Sequence, residues 1–236
     1  MAPLTLLNDS DLSFPDPKHA LLEPNGLLAI GGDLSTNRLI NAYQQGIFPW
    51  YNDDSPIMWW SPDPRCVIFT HKFHVSKSFR RFLAKKSYHV TLNKCFKDVV
   101  IGCQQPRTYQ KETWINDDIV AAYERLHHQG SAHSVEVWSG DQLVGGVYGV
   151  MTDNVFCGES MFSRHSNASK VALYYLSQFL AQHGIEIIDC QIPNDHLASL
   201  GAVTLNRNQF LKLLLVKPSG KLELIDWSIK LMSNDV

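Results

Sequence analysis

No run of about 18 consecutive apolar residues occurs in the 236-residue chain, so no membrane-spanning helix is expected. The opening residues MAPLTLLNDSDLSFPD lack the basic segment and the long apolar core of a secretory leader, which makes the cytoplasm the expected compartment. Five cysteines (Cys66, Cys95, Cys103, Cys157 and Cys190) form an odd, scattered set with no CxxC pair. Neither a disulfide framework nor a zinc ribbon follows from them. Gly31-Gly32 is not followed by GK[ST], and neither a GxGxxG helix start nor a GxSxG elbow is present, so P-loop, dinucleotide and serine-hydrolase readings fall away. Of ten histidines only His127-His128 and His71/His74 lie close together, and neither pair is extended to a full ligand set. No metal is expected. The glycosylation sequons at Asn8 and Asn167 are short patterns in the wrong compartment.

Acidic residues are absent from one stretch. Between Pro64 and Lys97 stand nine cations (Arg65, Lys72, Lys77, Arg80, Arg81, Lys85, Lys86, Lys94 and Lys97) and no Asp or Glu. The rest of the chain then holds 12 of the 21 cations against all 23 acids, a formal −11 hidden inside a net −2. A basic patch on an acidic protein steers a polyanion to one face. What is abundant is ordinary: 44% hydrophobic and 19% charged residues mark a folded globular chain long enough for a sizeable core.

Eight of the eleven prolines fall in the first 64 residues, with Gly31-Gly32 between them. Proline blocks ladders and helices, so residues 1–63 read as a small N-terminal domain of turns, short strands and one helix over 39–45, with 64–236 as the main domain. Ser76 can cap a helix whose Phe79, Phe82 and Leu83 share one face and whose Lys77, Arg81 and Lys85 form a basic stripe. Asn116, Asp117-Asp118, an apolar face and Gly130 outline a complete capped helix. Residues 133–138, 143–150 and 155–162 read as an antiparallel meander with turns at 139–141 and 152–154. Asn167 then caps a long helix through Leu173, Leu176 and Leu180 to Gly184, followed by a strand over 185–190 and a helix from about Asn194. This α+β order is compatible with an N-acyltransferase fold. The segment that would cradle coenzyme A pyrophosphate, 163–170, contains no glycine, which disfavours that cofactor. Cys157 and Cys190 on strands read as inert thiols, and Trp59, Trp60, Trp138 and Trp227 as core or interface aromatics.

More specific is the segment GESMFSRHSNASK at 158–170, accompanied by GIFPWY (46–51), WWSPDPR (59–65), ETW (112–114), AHSVEVW (132–138), LVGGVYG (143–149) and IDCQ (188–191). Together, from about Phe14 to about Phe210, these motifs resemble the leucyl/phenylalanyl-tRNA–protein transferase family. The resemblance implies a small N-terminal domain followed by a GNAT-like N-acyltransferase domain. It further implies transfer of leucine or phenylalanine from leucyl-tRNA or phenylalanyl-tRNA to proteins that begin with arginine or lysine, marking them for degradation. By that resemblance Asp189 and Gln191 polarise the acceptor amine, and Glu159, ionised at neutral pH, orients the donor's ammonium. Val147, Phe156, Leu173, Leu176, Leu180 and Ile188 match the donor's apolar pocket, Trp50 and Trp114 stack near the terminal adenosine, and Tyr43, Tyr123 and Ser163 supply polar contacts. Lys77, Arg81 and Lys85 align with the acceptor-stem cluster, where Ala84 replaces one cation and Lys86 follows it.

An aminoacyl-tRNA ester is already activated, so attack by an amine needs alignment, a free base and oxyanion stabilisation, but neither metal nor ATP. No cofactor is therefore expected. Coenzyme A-dependent acetylation lacks its glycine cradle, and a noncatalytic tRNA-binding module would leave Glu159, Asp189 and Gln191 without a task. No repeated apolar seam asks for a dimer, and a monomer is expected.

Overall fold

A computed structural model describes residues 4–85, 87–105, 114–216 and 225–228. Glu112 and Thr113 of the ETW motif, and Lys86, lie outside the described residues. The proline-rich segment forms a four-stranded sheet from β1 (Thr5–Leu7), β2 (Leu27–Gly31), β3 (Phe48–Pro49) and β4 (Met58–Trp60), in the order β1-β2-β4-β3. Helix α1 (Thr36–Gln44) starts where the Ser35 side chain accepts from the Arg38 amide, as a serine cap should. Its Leu39, Ala42 and Tyr43 are buried.

The second sheet holds seven strands: β5 (Arg65–Phe69), β6 (His89–Leu92), β7 (Ala132–Ser139), β8 (Gln142–Met151), β9 (Val155–Ser163), β10 (Ile187–Gln191) and β11 (Val203–Leu205). Their order is β11-β5-β10-β9-β8-β7-β6. The predicted meander is there, β7 to β9 pairing antiparallel in sequence. Strand β10 runs parallel to β9 and antiparallel to β5. The parallel return needs a crossover, and α5 (Ala168–Gln182) supplies it.

Both faces of this sheet are covered. Helix α5 packs on one, where a Cβ at Gly145 would fall 2.5 Å from Ala168 Cβ. Helices α3 (Phe96–Gln104) and α4 (Asp117–His128) cover the other. The core on the α3/α4 side is continuous with that of the first sheet, so Leu39, Tyr43 and Trp59 share a cluster with Val99, Tyr123 and Tyr148. The α5 side forms its own cluster. Short helices α2 (Lys77–Leu83), α6 (Asp195–Ser199) and α7 (Arg207–Leu214) complete the described chain.

Several expectations needed correction. Helix α2 ends at Leu83, so Lys85 stands in the following turn and the basic stripe is helical only at Lys77 and Arg81. Asn167 occupies the N-cap position of α5 in a left-handed conformation and makes no side-chain cap bond; Ser163 Oγ instead accepts from the Ser169 amide at 3.2 Å. Helix α3 has no side-chain cap either, which removes the signal by which α1, α2, α4, α6 and α7 announce themselves.

Candidate active site

Strands β9 and β10 pair only from Ile187↔Val155 to Asp189↔Cys157. Just beyond, each strand carries an irregularity. On β9, Tyr148 faces Ser160 while Gly149 faces Gly158, so Glu159 is the extra residue of a bulge. On β10, Asp189 faces Val67 while Gln191 faces Cys66, so Cys190 is extra there. Bulges re-aim side chains and concentrate beside active sites. Gly149 is obligatory at the first bulge, because a Cβ there would lie 2.2 Å from the Cys157 carbonyl oxygen. Gln191 ends the second in a left-handed conformation, φ +62°.

These bulges turn two side chains toward each other. Gln191 Nε2 donates to Glu159 Oε1 at 2.9 Å. From beneath, Tyr123 Oη donates to Glu159 Oε2 at 2.9 Å, and the Tyr43 hydroxyl bonds that of Tyr123. Glu159 is 9% exposed. Burial pushes its carboxyl from an ordinary 4.5 up to about 7, against the pull of hydrogen bonds from Tyr43, Tyr123 and Gln191 and with further upward pressure from Asp189. The carboxyl expected to be fully ionised thus titrates near neutrality, because a buried carboxylate pays for lost hydration. Tyr43, Tyr123 and Tyr148 are pushed well above the phenol range, chiefly by burial and then by neighbouring charge, so all three remain protonated, and Tyr43 and Tyr123 carry the hydrogen bonds.

Asp189 is used differently from the expectation. Arg65 grips it with a fork, Nε to Oδ1 at 2.8 Å and Nη2 to Oδ2 at 2.7 Å, and Oδ1 also accepts from the Gln191 amide at 3.0 Å. Both partners are buried, Arg65 at 1% and Asp189 at 0% exposure. The resemblance implies that Asp189 and Gln191 both reach the acceptor amine, as residues two apart on a regular strand would. The bulge at Cys190 breaks that pleat, and only Gln191 reaches the open space.

That space is a cleft of about 440 Å³. Phe48, Trp50 and Trp114 form an aromatic wall, Glu159, Ser160 and Gln191 a polar floor, and Asn52, Gln105 and Asn194 part of its rim. Trp50 is exposed and leans on Trp60 with ring centroids 5.6 Å apart. Tyr43 and Tyr123 sit behind Glu159 rather than in the cleft. Ser163 lies elsewhere, at the exposed end of β9, where it donates to the His165 carbonyl. Val147, Phe156, Leu173, Leu176, Leu180 and Ile188 are all buried in the cluster beneath α5, and none lines the cleft. Cys190 joins the two, since it lines the cleft and packs against that cluster.

Among the described residues the cation run does not survive as one patch. Arg65 is buried, Lys97 pairs with Glu124 at 3.0 Å, and Lys94 lies over Trp138 at 4.6 Å. Lys77, Arg80, Arg81 and Lys85 remain exposed in and after α2. Among the described residues no cluster of three metal-ligating side chains occurs and no helix is long and apolar enough to cross a membrane. The sequence reading missed the role of Arg65. A cation and a carboxylate, each set in an apolar strand (RCVIF and IIDCQ), were the available signal, because buried charges need partners.

The family model described as leucyl/phenylalanyl-tRNA protein transferase matches residues 67–215, and the model of that family's N-terminal domain matches 32–63. A protein from Shewanella baltica (strain OS195) named leucyl/phenylalanyl-tRNA–protein transferase is 50% identical over 98% of this chain and 97% of its own length. Proteins of the same name from Pseudoalteromonas atlantica (54% identical, 86% and 87% covered) and Cellvibrio japonicus (53% identical, 89% of each) agree. Among solved structures, L-PGS from Bacillus licheniformis superposes with a TM-score of 0.41 at 9% identity, over 71% of this chain and 53% of that one, a likeness too low to define a shared fold. With both parts of the family matched in order and half the residues identical along nearly the whole length, this chain belongs to the leucyl/phenylalanyl-tRNA protein transferase family.

Proposed function

We propose that this chain moves leucine or phenylalanine from aminoacyl-tRNA onto the α-amine of polypeptides that begin with arginine or lysine. It does so as a cytoplasmic monomer, with residues 1–63 as a small N-terminal domain and 64–236 as a GNAT-like N-acyltransferase domain. The order of β7 to β9, crossover helix α5 and parallel strand β10 supports that fold reading.

The observation that carries the function is the Glu159–Gln191 pair set at the floor of an aromatic-walled cleft. The acceptor's amine, with an ordinary pKa of about 8, arrives mostly as ammonium at neutral pH. A carboxyl titrating at about 7 is matched to take up its proton. Gln191 spends its Nε2 on Glu159, so its carboxamide oxygen is the acceptor it offers the amine. The amine nitrogen then attacks the ester carbonyl, the carbonyl carbon's bond to the ribose oxygen breaks, and a proton ends on that oxygen. Asp189 acts behind Gln191, through its amide. Tyr123 and Tyr43 steady the carboxyl from below.

For the donor, Trp50 and Trp114 offer faces to the terminal adenosine. The leucine or phenylalanine side chain passes Cys190 into the apolar region of Val147, Phe156, Leu173, Leu176, Leu180 and Ile188. Lys77, Arg81 and Lys85 meet acceptor-stem phosphates, with Ser163 as an outlying polar contact. The test is direct: supply radiolabelled leucyl-tRNA, phenylalanyl-tRNA or acetyl-coenzyme A with an arginine-starting peptide. Label should transfer from the two aminoacyl-tRNAs and not from acetyl-coenzyme A; the reverse overturns the reading.

A further inference from the structure

Gln191 holds a left-handed backbone conformation at φ +62°, which side chains other than glycine adopt only when their surroundings enforce it. Its amide donates to Asp189 Oδ1, and Asp189 in turn has both carboxylate oxygens on the Arg65 fork. The guanidinium is itself confined, with the Phe48 ring 4.8 Å and the Phe210 ring 4.7 Å from its central carbon. Phe48 is also a wall of the cleft. Arg65 Nη1 is buried with no hydrogen-bond partner among the described residues, so the orientation of the fork is set by Asp189 and the two rings and not by satisfying every donor.

We propose that Arg65 is a positioning residue of the transfer reaction: by gripping Asp189 it holds the Gln191 backbone in its bulge and so sets the carboxamide against Glu159. The proposal rests on the transfer function above, and it deepens that site by one residue that touches no substrate. A buried ion pair is poor evidence of added stability, since apolar side chains of similar size replace such pairs at little cost. Here the pair supplies the acceptor for a strained amide two residues from it in the chain, beside the cleft.

Charge gives the proposal a second readout. The ionisable groups around Glu159 are Tyr43 from α1, Tyr123 from α4, Tyr148 from β8, Cys157 on its own strand, Asp189 from β10 and Arg65 from β5. Burial keeps the three phenols and the Cys157 thiol protonated through neutral pH, which leaves Arg65 and Asp189 as the opposed charges acting on the Glu159 carboxyl.

Two measurements decide it. The double variant Arg65→Met with Asp189→Leu replaces the pair by apolar side chains and keeps the fold, seen as an unchanged circular dichroism spectrum and cooperative melting. Its kcat for transfer to an arginine-starting peptide should fall about 100-fold, the effect of a small misplacement at the reacting centre, while binding of charged tRNA is unchanged. A folded double variant with kcat within about threefold of wild type, well short of such a misplacement, overturns the proposal. In the tRNA-free protein, a ¹³C-carboxyl titration of Glu159, assigned by its loss in Glu159→Gln, should move up in Arg65→Met and down in Asp189→Asn. Arg65→Lys keeps the charge without the fork, so it should restore the titration but not the rate. Shifts of one sign in both single variants, or none in either, refute the coupling. If the wild type transfers neither amino acid, the functional reading fails, and the titration still judges the role of Arg65.

Discussion

Replacing Glu159 by Gln should make the protein more stable and less active at once, and the gain should depend on pH. Native Glu159 titrates at about 7 against an ordinary 4.5. Between those values the folded state holds a proton that the unfolded state has released, so stability falls as pH rises through the window. At about 1.4 kcal/mol per pH unit the full penalty is about 3 kcal/mol. It is absent below about pH 4.5, where both states are protonated, and complete above about pH 7. Glutamine has the same shape, stays neutral, and can still exchange hydrogen bonds with Gln191 and the rotatable hydroxyl of Tyr123. Titrations of groups that do not sense Glu159 are shared by the two proteins and cancel in the difference. Urea unfolding at pH 5 and pH 8 measures it: the midpoint of Glu159→Gln should lie close to wild type at pH 5 and clearly above it at pH 8. Transfer should fall by about 10² to 10⁴, the usual cost of losing a positioned proton acceptor. A variant less stable than wild type at pH 8, or a gap equal at both pH values, would show that Glu159 is not a penalised carboxylate.

Leu176→Phe should depress phenylalanine transfer more than leucine transfer, by the roughly 1 to 3 kcal/mol with which apolar pockets resolve small volume changes; equal loss for both donors in a folded variant marks Leu176 as core alone. Joint replacement of Lys77, Arg81 and Lys85 by Gln should weaken binding of intact charged tRNA, spare a minimal aminoacyl-adenosine donor and leave the melting temperature nearly unchanged. The log K against log[salt] slope should become shallower, because fewer counterions are released. An unaltered slope and affinity would make these cations a solvated surface. Incubation with EDTA should leave transfer intact, and loss of activity restored by one metal ion would overturn the metal-free mechanism.

The helix caps at Ser35, Ser76, Asn116, Asn194 and Asn206 are local devices, each a side chain accepting an amide three residues on. Such signals are legible along the chain, as is the alternation that marks β7 to β9. Helix α3 carries no such device, and its buried Val99, Val100 and Cys103 could equally belong to a strand. The i, i+3, i+7 spacing of Leu173, Leu176 and Leu180 names one helix face but not what meets it; in the structure that face is packed core whose border with the cleft is Cys190.

By itself the sequence determined the order of the β7 to β9 meander, α5 and β10, the family and the residue types of the site, because propensity, capping and motif spacing depend on neighbours in the chain. Only the tertiary structure decided what those residues do. Whether Glu159 is ionised depends on how much water its burial removes, and whether Asp189 meets substrate depends on Arg65, 124 positions away in the chain. Both were fixed by two one-residue bulges. Strand periodicity cannot reveal these, because a bulge is a choice of pairing between strands and not a property of either one.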